Sequence, residues 1–277
     1  MTPHYTTQLV RINGIAGILY RNGQKTTTVV VYGIGAPLPP DSGALPDAPV
    51  IMRFAVDLFV PDYIGYGRSD GQFTPTNCIK TFTNLYSDFT RGCLATNAYD
   101  KTTLLLRYKR VIFIGRSLGG TYIPLLPRFN PAITELAIFC PVVNSRLCGS
   151  VPGEESNADF LRSMRQDGYY HLYRGILAPL WRQHLENKDD LSPMDNISHL
   201  AHARLFIAHG RQDSCVHYSK SQQYYDLICK QFPGQSNQFA LNLYNGTHGP
   251  STTNPAVADF LRWLGLETGS TPPLDGE

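Results

Sequence analysis

The chain has 277 residues, 42% of them hydrophobic and 17% charged, with a formal net charge of +2. A chain of this length removes roughly 70–75% of its unfolded surface from water on folding, so it needs no disulfide or metal staple. No apolar run approaches the ~20 residues of a membrane span, and no run of like charge points to nucleic acid or an anionic membrane.

Met1 to Tyr20 mixes Thr, Gln, Arg and Asn into its apolar residues, unlike the basic start and unbroken apolar core of a secretory signal. The expected location is therefore cytoplasmic. Gln8 to Tyr20 alternates apolar and polar residues around Asn13-Gly14, a dipeptide suited to a tight hairpin. Thr27 to Tyr32 is a β-branched run ending in Gly33-Ile34-Gly35, which predicts a buried strand feeding a loop. Asp57 to Pro61 is a second buried strand, followed by a glycine-rich turn over Asp62 to Ser69. That turn lacks the lysine of a phosphate-binding loop and is read as structural.

A helix is expected over Thr76 to Ala95, then a buried strand over Arg110 to Ile114. Gly115-Arg116-Ser117-Leu118-Gly119-Gly120 follows at once and opens a helical stretch to about Leu126. Glu135 to Phe139, Ala203 to Ala208 and Gln238 to Tyr244 supply further strands, with helices between and after them. Such alternation predicts an α/β fold with a mostly parallel central sheet and helices on both faces. Between residues 144 and 200 the pattern is helical, aromatic-rich and free of strands, as for a cap inserted into the connections of a single domain spanning 1–277. Thr268 to Glu277 reads as a frayed tail.

The six cysteines, Cys78, Cys93, Cys140, Cys148, Cys215 and Cys229, form no C-x-x-C pair and no Cys/His cluster of zinc type. Scattered buried thiols in a reduced cytosol are expected, with pairs such as Cys78 and Cys93 bridged in an oxidising compartment as the alternative; structural zinc is not expected.

Gly115-x-Ser117-x-Gly119 carries the strongest chemical signal, because flanking glycines let the chain turn sharply enough to expose a serine hydroxyl between strand and helix. Serine needs a base, and the base works best when a third group fixes its tautomer. His248, in Asn245-Gly246-Thr247-His248-Gly249, follows the last strand, and Asp213 follows the strand before it. Parallel strands bring both loops to the sheet edge that carries Ser117. His209 closes a strand and suits a structural hydrogen bond, His217 begins a helix, and Asp189, Asp190 and Asp195 are expected to face solvent. A tetrahedral oxyanion needs donors set in advance: the backbone N–H of Leu118 is the first and that of Ile34 the second.

Taken together, Tyr32-Gly33-Ile34-Gly35, Pro61 to Ser69, Gly115 to Gly120, His209-Gly210-x-x-Asp213 and Thr247-His248-Gly249 resemble the α/β-hydrolase superfamily over nearly the whole chain. Leu191-Ser192-Pro193 looks like the catalytic domains of prolyl-oligopeptidase-type peptidases and their small esterase relatives. The resemblance implies acyl transfer to water without metal or cofactor. Two departures stand out: Tyr32 precedes Gly33 where the family often has His, and no propeller domain is present, which favours a small esterase. The expected substrate is a small-molecule ester, with short peptides and a catalytically silent binding protein as alternatives. Tyr169, Tyr173 and Trp181 of the cap have helical spacing that suits packing, and one or two of them are candidates for lining an apolar pocket.

Overall fold

The computed structural model describes residues 5–23, 26–176, 179–235 and 237–268; the tail read as frayed lies outside these, Thr268 excepted. Strands β1 (Tyr5–Ile12) and β2 (Ile15–Asn22) form the expected hairpin. Asn13 and Gly14 turn it at φ 46° and 85°, the left-handed pair that matches the twist of the flanking strands. Then follow β3 (Thr28–Gly33), α1 (Ala48–Ile51), β4 (Asp57–Pro61), α2 (Pro75–Arg91), β5 (Cys93–Asn97), β6 (Thr103–Leu106) and β7 (Arg110–Arg116). The second half comprises α3 (Leu118–Tyr122), α4 (Leu126–Phe129), β8 (Glu135–Phe139), α5 (Asn157–Gln166), α6 (Pro179–Leu185), β9 (Arg204–Gly210), α7 (Ser219–Gln231), β10 (Phe239–Tyr244) and α8 (Pro250–Trp263).

The strands form one sheet in the order β10-β9-β8-β7-β3-β4-β2-β1-β5-β6. Pairing is parallel from β10 to β4 and antiparallel from β4 to β6. Val29, Val30 and Val31 of β3 and Ile112, Phe113 and Ile114 of β7 are fully buried, as strands covered on both faces must be. The chain leaves β3 for β4 on one side and returns to β7 on the other, so the direction of winding reverses between β3 and β7. At such a reversal the loops beyond the two strand ends part and leave a crevice.

The described residues of 144–200 contribute α5, α6 and short 3-10 turns, and among them the strand pairing is one isolated bridge, Tyr66 to Tyr173. The helix expected to reach Ala95 stops at Arg91. Gly92, at φ 98°, ends it, and Cys93 onward turns into the β5–β6 hairpin at the sheet edge. Ala95 is buried while Leu94 is 62% and Leu105 70% exposed, an alternation of period two that the short apolar run concealed.

The turn after β4 is structural, as read. Asp62 is 1% exposed, and its carboxylate accepts from Arg68 backbone N–H (2.7 Å), Nε (2.8 Å) and Nη2 (2.8 Å). Gly65 stands at φ 83°, where a Cβ would lie 1.9 Å from Gln72 and Phe73 backbone atoms. Leu172, Arg174 and Trp181 all bond to this turn: Leu172 carbonyl to Gly67 N–H (2.9 Å), Arg174 Nη1 to Gly67 carbonyl (2.9 Å), and Trp181 Nε1 to Phe73 carbonyl (2.7 Å). Arg68→Ala strands the Asp62 charge in the interior, and such losses cost about 3 kcal/mol or more. The expected outcome is a urea midpoint lowered accordingly, with the slope of unfolding unchanged.

Candidate active site

Ser117 lies between β7 and α3 at φ 52°, ψ −117°, a left-handed backbone that costs a non-glycine residue roughly 1–3 kcal/mol. Its neighbours explain how the conformation is held. A Cβ on Gly115 would lie 2.4 Å from the Gly119 carbonyl oxygen, and one on Gly119 would lie 2.3 Å from that of Gly33. Helix α3 can press this closely on β3 and β7 only because both positions are glycine. Ser117 N–H donates to the Phe139 carbonyl of β8 (2.9 Å), which ties the turn to the next strand.

Asp213 follows β9 and His248 follows β10. His248 Nδ1 is 2.7 Å from Asp213 Oδ2, and the Asp213 side chain is fully buried. Its other oxygen accepts the backbone N–H groups of Cys215 (2.9 Å) and Val216 (3.0 Å). His209 Nε2 lies 3.1 Å from Asp213 Oδ2 and 2.8 Å from the Val216 carbonyl. Both are acceptors, so Nε2 carries the proton and Nδ1 accepts from Ser221 Oγ (2.7 Å). Burial works to raise the Asp213 carboxyl, but the hydrogen bonds from His209 and His248 and the charge of His248 outweigh it and hold Asp213 well below the usual carboxylate range.

Ser117 and His248 wall a cavity of about 370 Å³, together with apolar Leu118, Val142, Phe160, Leu185 and Val216. Gly35 also lines it, and a Cβ there would lie 2.8 Å from Ser117 Cβ. Leu118 is in the wall; Ile34 is buried and lines a neighbouring cavity instead, with its carbonyl accepting from Tyr63 Oη (2.6 Å). The inserted segment supplies Phe160, Ser163, His184 and Leu185 to the wall.

No protein-family profile matches the chain, and no curated protein matches its sequence. Solved structures do. An esterase of Pyrococcus furiosus, Pf2001, superposes with a TM-score of 0.60 at 17% identity, over 94% of this chain and 91% of that one. Est1E from Butyrivibrio proteoclasticus gives 0.56 at 13% identity over 94% and 99%. An acylaminoacyl peptidase of Pyrococcus horikoshii gives 0.59 at 11% identity, over 95% of this chain but 40% of the peptidase. The fold is that of the α/β-hydrolases. Among the described residues, no helix is long and apolar enough to cross a membrane.

On this α/β-hydrolase sheet Ser117, Asp213 and His248 all follow parallel strands at one edge, and Asp213 and His248 touch. Tyr169, Tyr173 and Trp181 are not part of the cavity wall. Trp181 stacks on Phe73 at 4.9 Å, while Tyr173 Oη bonds both the N–H and the carbonyl of Leu38 (2.9 Å each). Leu38 is itself a wall residue, so Tyr173 acts on the cavity through the loop it holds. Asp190 and Asp195 are exposed, but Asp189 departs from expectation: its carboxylate meets His184 Nδ1 at 2.8 Å within the inserted segment. His184 is 3% exposed, and a buried imidazole needs such a partner.

Sequence reasoning missed Arg116 and Cys140. Arg116 Nη2 donates to the His248 carbonyl (2.8 Å), fixing the loop that carries the imidazole. Cys140, at φ 47° directly after β8, brings its sulfur into a group in which Cys140, Asp213 and His248 each offer one atom within 4.8 Å of the others. Burial and the Asp213 charge push the Cys140 thiol up, which opposes the thiolate a metal centre would need. All six cysteines are free thiols.

Because the Asp213 carboxyl is lowered by folding, it stabilises the native state above the unfolded carboxylate range of about pH 4, and that contribution is lost as pH falls toward the folded value. Asp213→Asn is therefore expected to lower stability at pH 7 and to flatten the acid-side decline below about pH 4. Denaturant titrations of both proteins at pH 7 and pH 3 check this; parallel pH profiles contradict it.

Proposed function

We propose that this chain is a serine hydrolase that cleaves small carboxylic esters, with Ser117 as nucleophile, His248 as general base and acid, and Asp213 as the group that orients His248. The observation that carries the reading is the 2.7 Å contact between His248 Nδ1 and Asp213 Oδ2, beside a serine held at φ 52° on the wall of the same cavity. Asp213 accepts at Nδ1, which leaves Nε2 as the basic nitrogen turned to proton transfer.

Ser117 Oγ attacks the ester carbonyl carbon while Nε2 takes its proton. The resulting oxyanion is met by the N–H of Leu118 and by a donor of the loop that starts at Ile34, whose Gly35 packs on Ser117. Collapse breaks the bond to the alcohol oxygen, and the imidazolium returns the proton to that oxygen. Water, deprotonated by the same imidazole, then releases the acid and restores Ser117. This route draws on side chains and backbone alone. In this reading residues 144–200 form a cap on a single domain, and its Phe160 and Leu185 give the acyl or alcohol group an apolar wall.

The test is labelling with a fluorophosphonate together with hydrolysis of short p-nitrophenyl esters. Wild-type protein is expected to react at Ser117 and to turn over the esters. Ser117→Ala abolishes labelling, and His248→Ala lowers kcat/KM by about 10⁴-fold or more. A wild type that fails to label, or a Ser117→Ala variant that labels equally, overturns the reading. A preference for aminoacyl or peptidyl anilides over esters reassigns the substrate to amides.

A further inference from the structure

Two glutamates stand side by side before α5, and their surroundings differ. The Glu154 carboxylate is saturated: it pairs with the buried Lys220 ammonium and accepts the backbone N–H groups of His217 (2.9 Å) and Gly149 (3.0 Å). Asp159 is likewise engaged, accepting from Ser156 Oγ (2.6 Å) and N–H (3.1 Å) at the start of α5. Glu155 has neither a hydrogen bond nor an ion pair to its carboxylate among the described residues, yet it lies at the mouth of the cavity walled by Ser117 and His248. Its backbone N–H donates to the Ser214 carbonyl (3.3 Å), which fixes it against the loop that bears Asp213.

Glu155 is exposed but borders the cavity wall, and burial there raises its carboxyl. Its N–H bond to Ser214, the residue after Asp213, places it beside the loop whose carboxylate holds His248. Arg116, an arginine of the same wall, spends its Nη2 on the His248 carbonyl. An anion on a binding wall that has no partner among the described residues is stabilised by a cation that enters beside it.

We propose that the cavity selects esters whose leaving group carries a positive charge, such as esters of amino alcohols, with Glu155 as the counter-charge. This rests on the acyl-transfer reading above. The side of the cavity follows from that chemistry: His248 gives its proton to the departing oxygen, so the leaving group occupies the His248 side, where Glu155 stands. Ser117 Oγ adds to the carbonyl, the ester C–O bond breaks as the tetrahedral adduct collapses, the serine proton passes through His248 to the alcohol, and the cationic centre leaves unchanged.

Butyrate esters of choline and of 3,3-dimethylbutanol share acyl group and shape and differ by a quaternary nitrogen in place of carbon. The quantity to measure is the ratio of their kcat/KM values at low ionic strength, in wild type and in Glu155→Gln. The ratio is expected to fall about three- to fivefold in the variant, as suits a partly exposed charge pair. It falls further in Glu155→Lys, and added salt shrinks the wild-type preference. Equal ratios in wild type and Glu155→Gln overturn the proposal while leaving ester hydrolysis intact. If neither ester is cleaved and Ser117 does not label, the acyl-transfer reading fails. Calorimetric titration with choline then decides the charge site: binding weakened by Glu155→Gln supports it, and absent or unaltered binding overturns it.

Discussion

The fit of α3 against β3 and β7 sets the geometry on which everything else in this molecule depends. Gly33 pairs with Gly115 in the parallel ladder, and the first turn of α3 lies on the Gly33 carbonyl with no room for a Cβ at Gly119. Close packing of this kind fixes the turn before any side chain is considered. Ser117 is then held at positive φ by its own strand, by the next strand through Phe139, and by Gly35 across the crevice. Its hydroxyl is placed by backbone, which has two soft torsions per residue, rather than by a long side chain with many rotamers.

Two buried carboxylates flank the loop that carries His248, and they respond to burial in opposite ways. Asp213 receives two backbone N–H groups and two imidazoles, and its carboxyl is lowered. Asp47 is 1% exposed and accepts hydroxyls from Tyr32 and Thr253, the latter at 2.5 Å; burial raises it despite those bonds and the charge of Arg116. Desolvation acts on both and more strongly on Asp47, whose hydroxyl donors stabilise an anion less than the imidazoles and backbone N–H groups around Asp213 do. Thr253 belongs to the first turn of α8, directly beyond His248. The imidazole is therefore steadied at its ring by Asp213, at its carbonyl by Arg116, and at the following turn by Asp47. Tyr32 is part of this second anchor.

The features legible in the sequence are those that a local rule compels. Strands such as Asp57–Pro61 and Glu135–Phe139 are buried on both faces and read as unbroken apolar runs. The Asn13-Gly14 turn and the glycines around Ser117 answer to φ angles and close approaches that few other residues tolerate. That Asp213 and His248 meet is legible because parallel topology converts position after a strand into position in space. The missed features are long-range. Nothing near Arg116 in sequence announces the His248 carbonyl, 132 residues away. Cys140 looks like any strand-ending residue until β8 and β9 are placed side by side. The β5–β6 hairpin was lost because a few apolar residues fit a helix or a strand equally well until burial chooses a face.

The inserted segment shows why the aromatic pattern was a poor guide to the cavity wall. Its large side chains, Tyr173 and Trp181, are spent on the turn after β4 and on the Leu38 loop, because burying rings of that size against Phe73 and Tyr66 is what holds a strandless segment to the body. A second tether joins its beginning to α7 through Lys220 and Glu154. Between those two attachments Ser156 and Asp159 cap α5 and Asn157 bonds the Ser145 and Leu185 carbonyls, whereas the side chains of Glu155 and Phe160 make no such bond and line the cavity. Substitutions there can alter the charge and shape offered to a ligand without disturbing Ser117, Asp213 or His248. The division of labour is physical: the sheet edge positions Ser117, Asp213 and His248, and the short stretch between two anchors supplies part of the cavity wall.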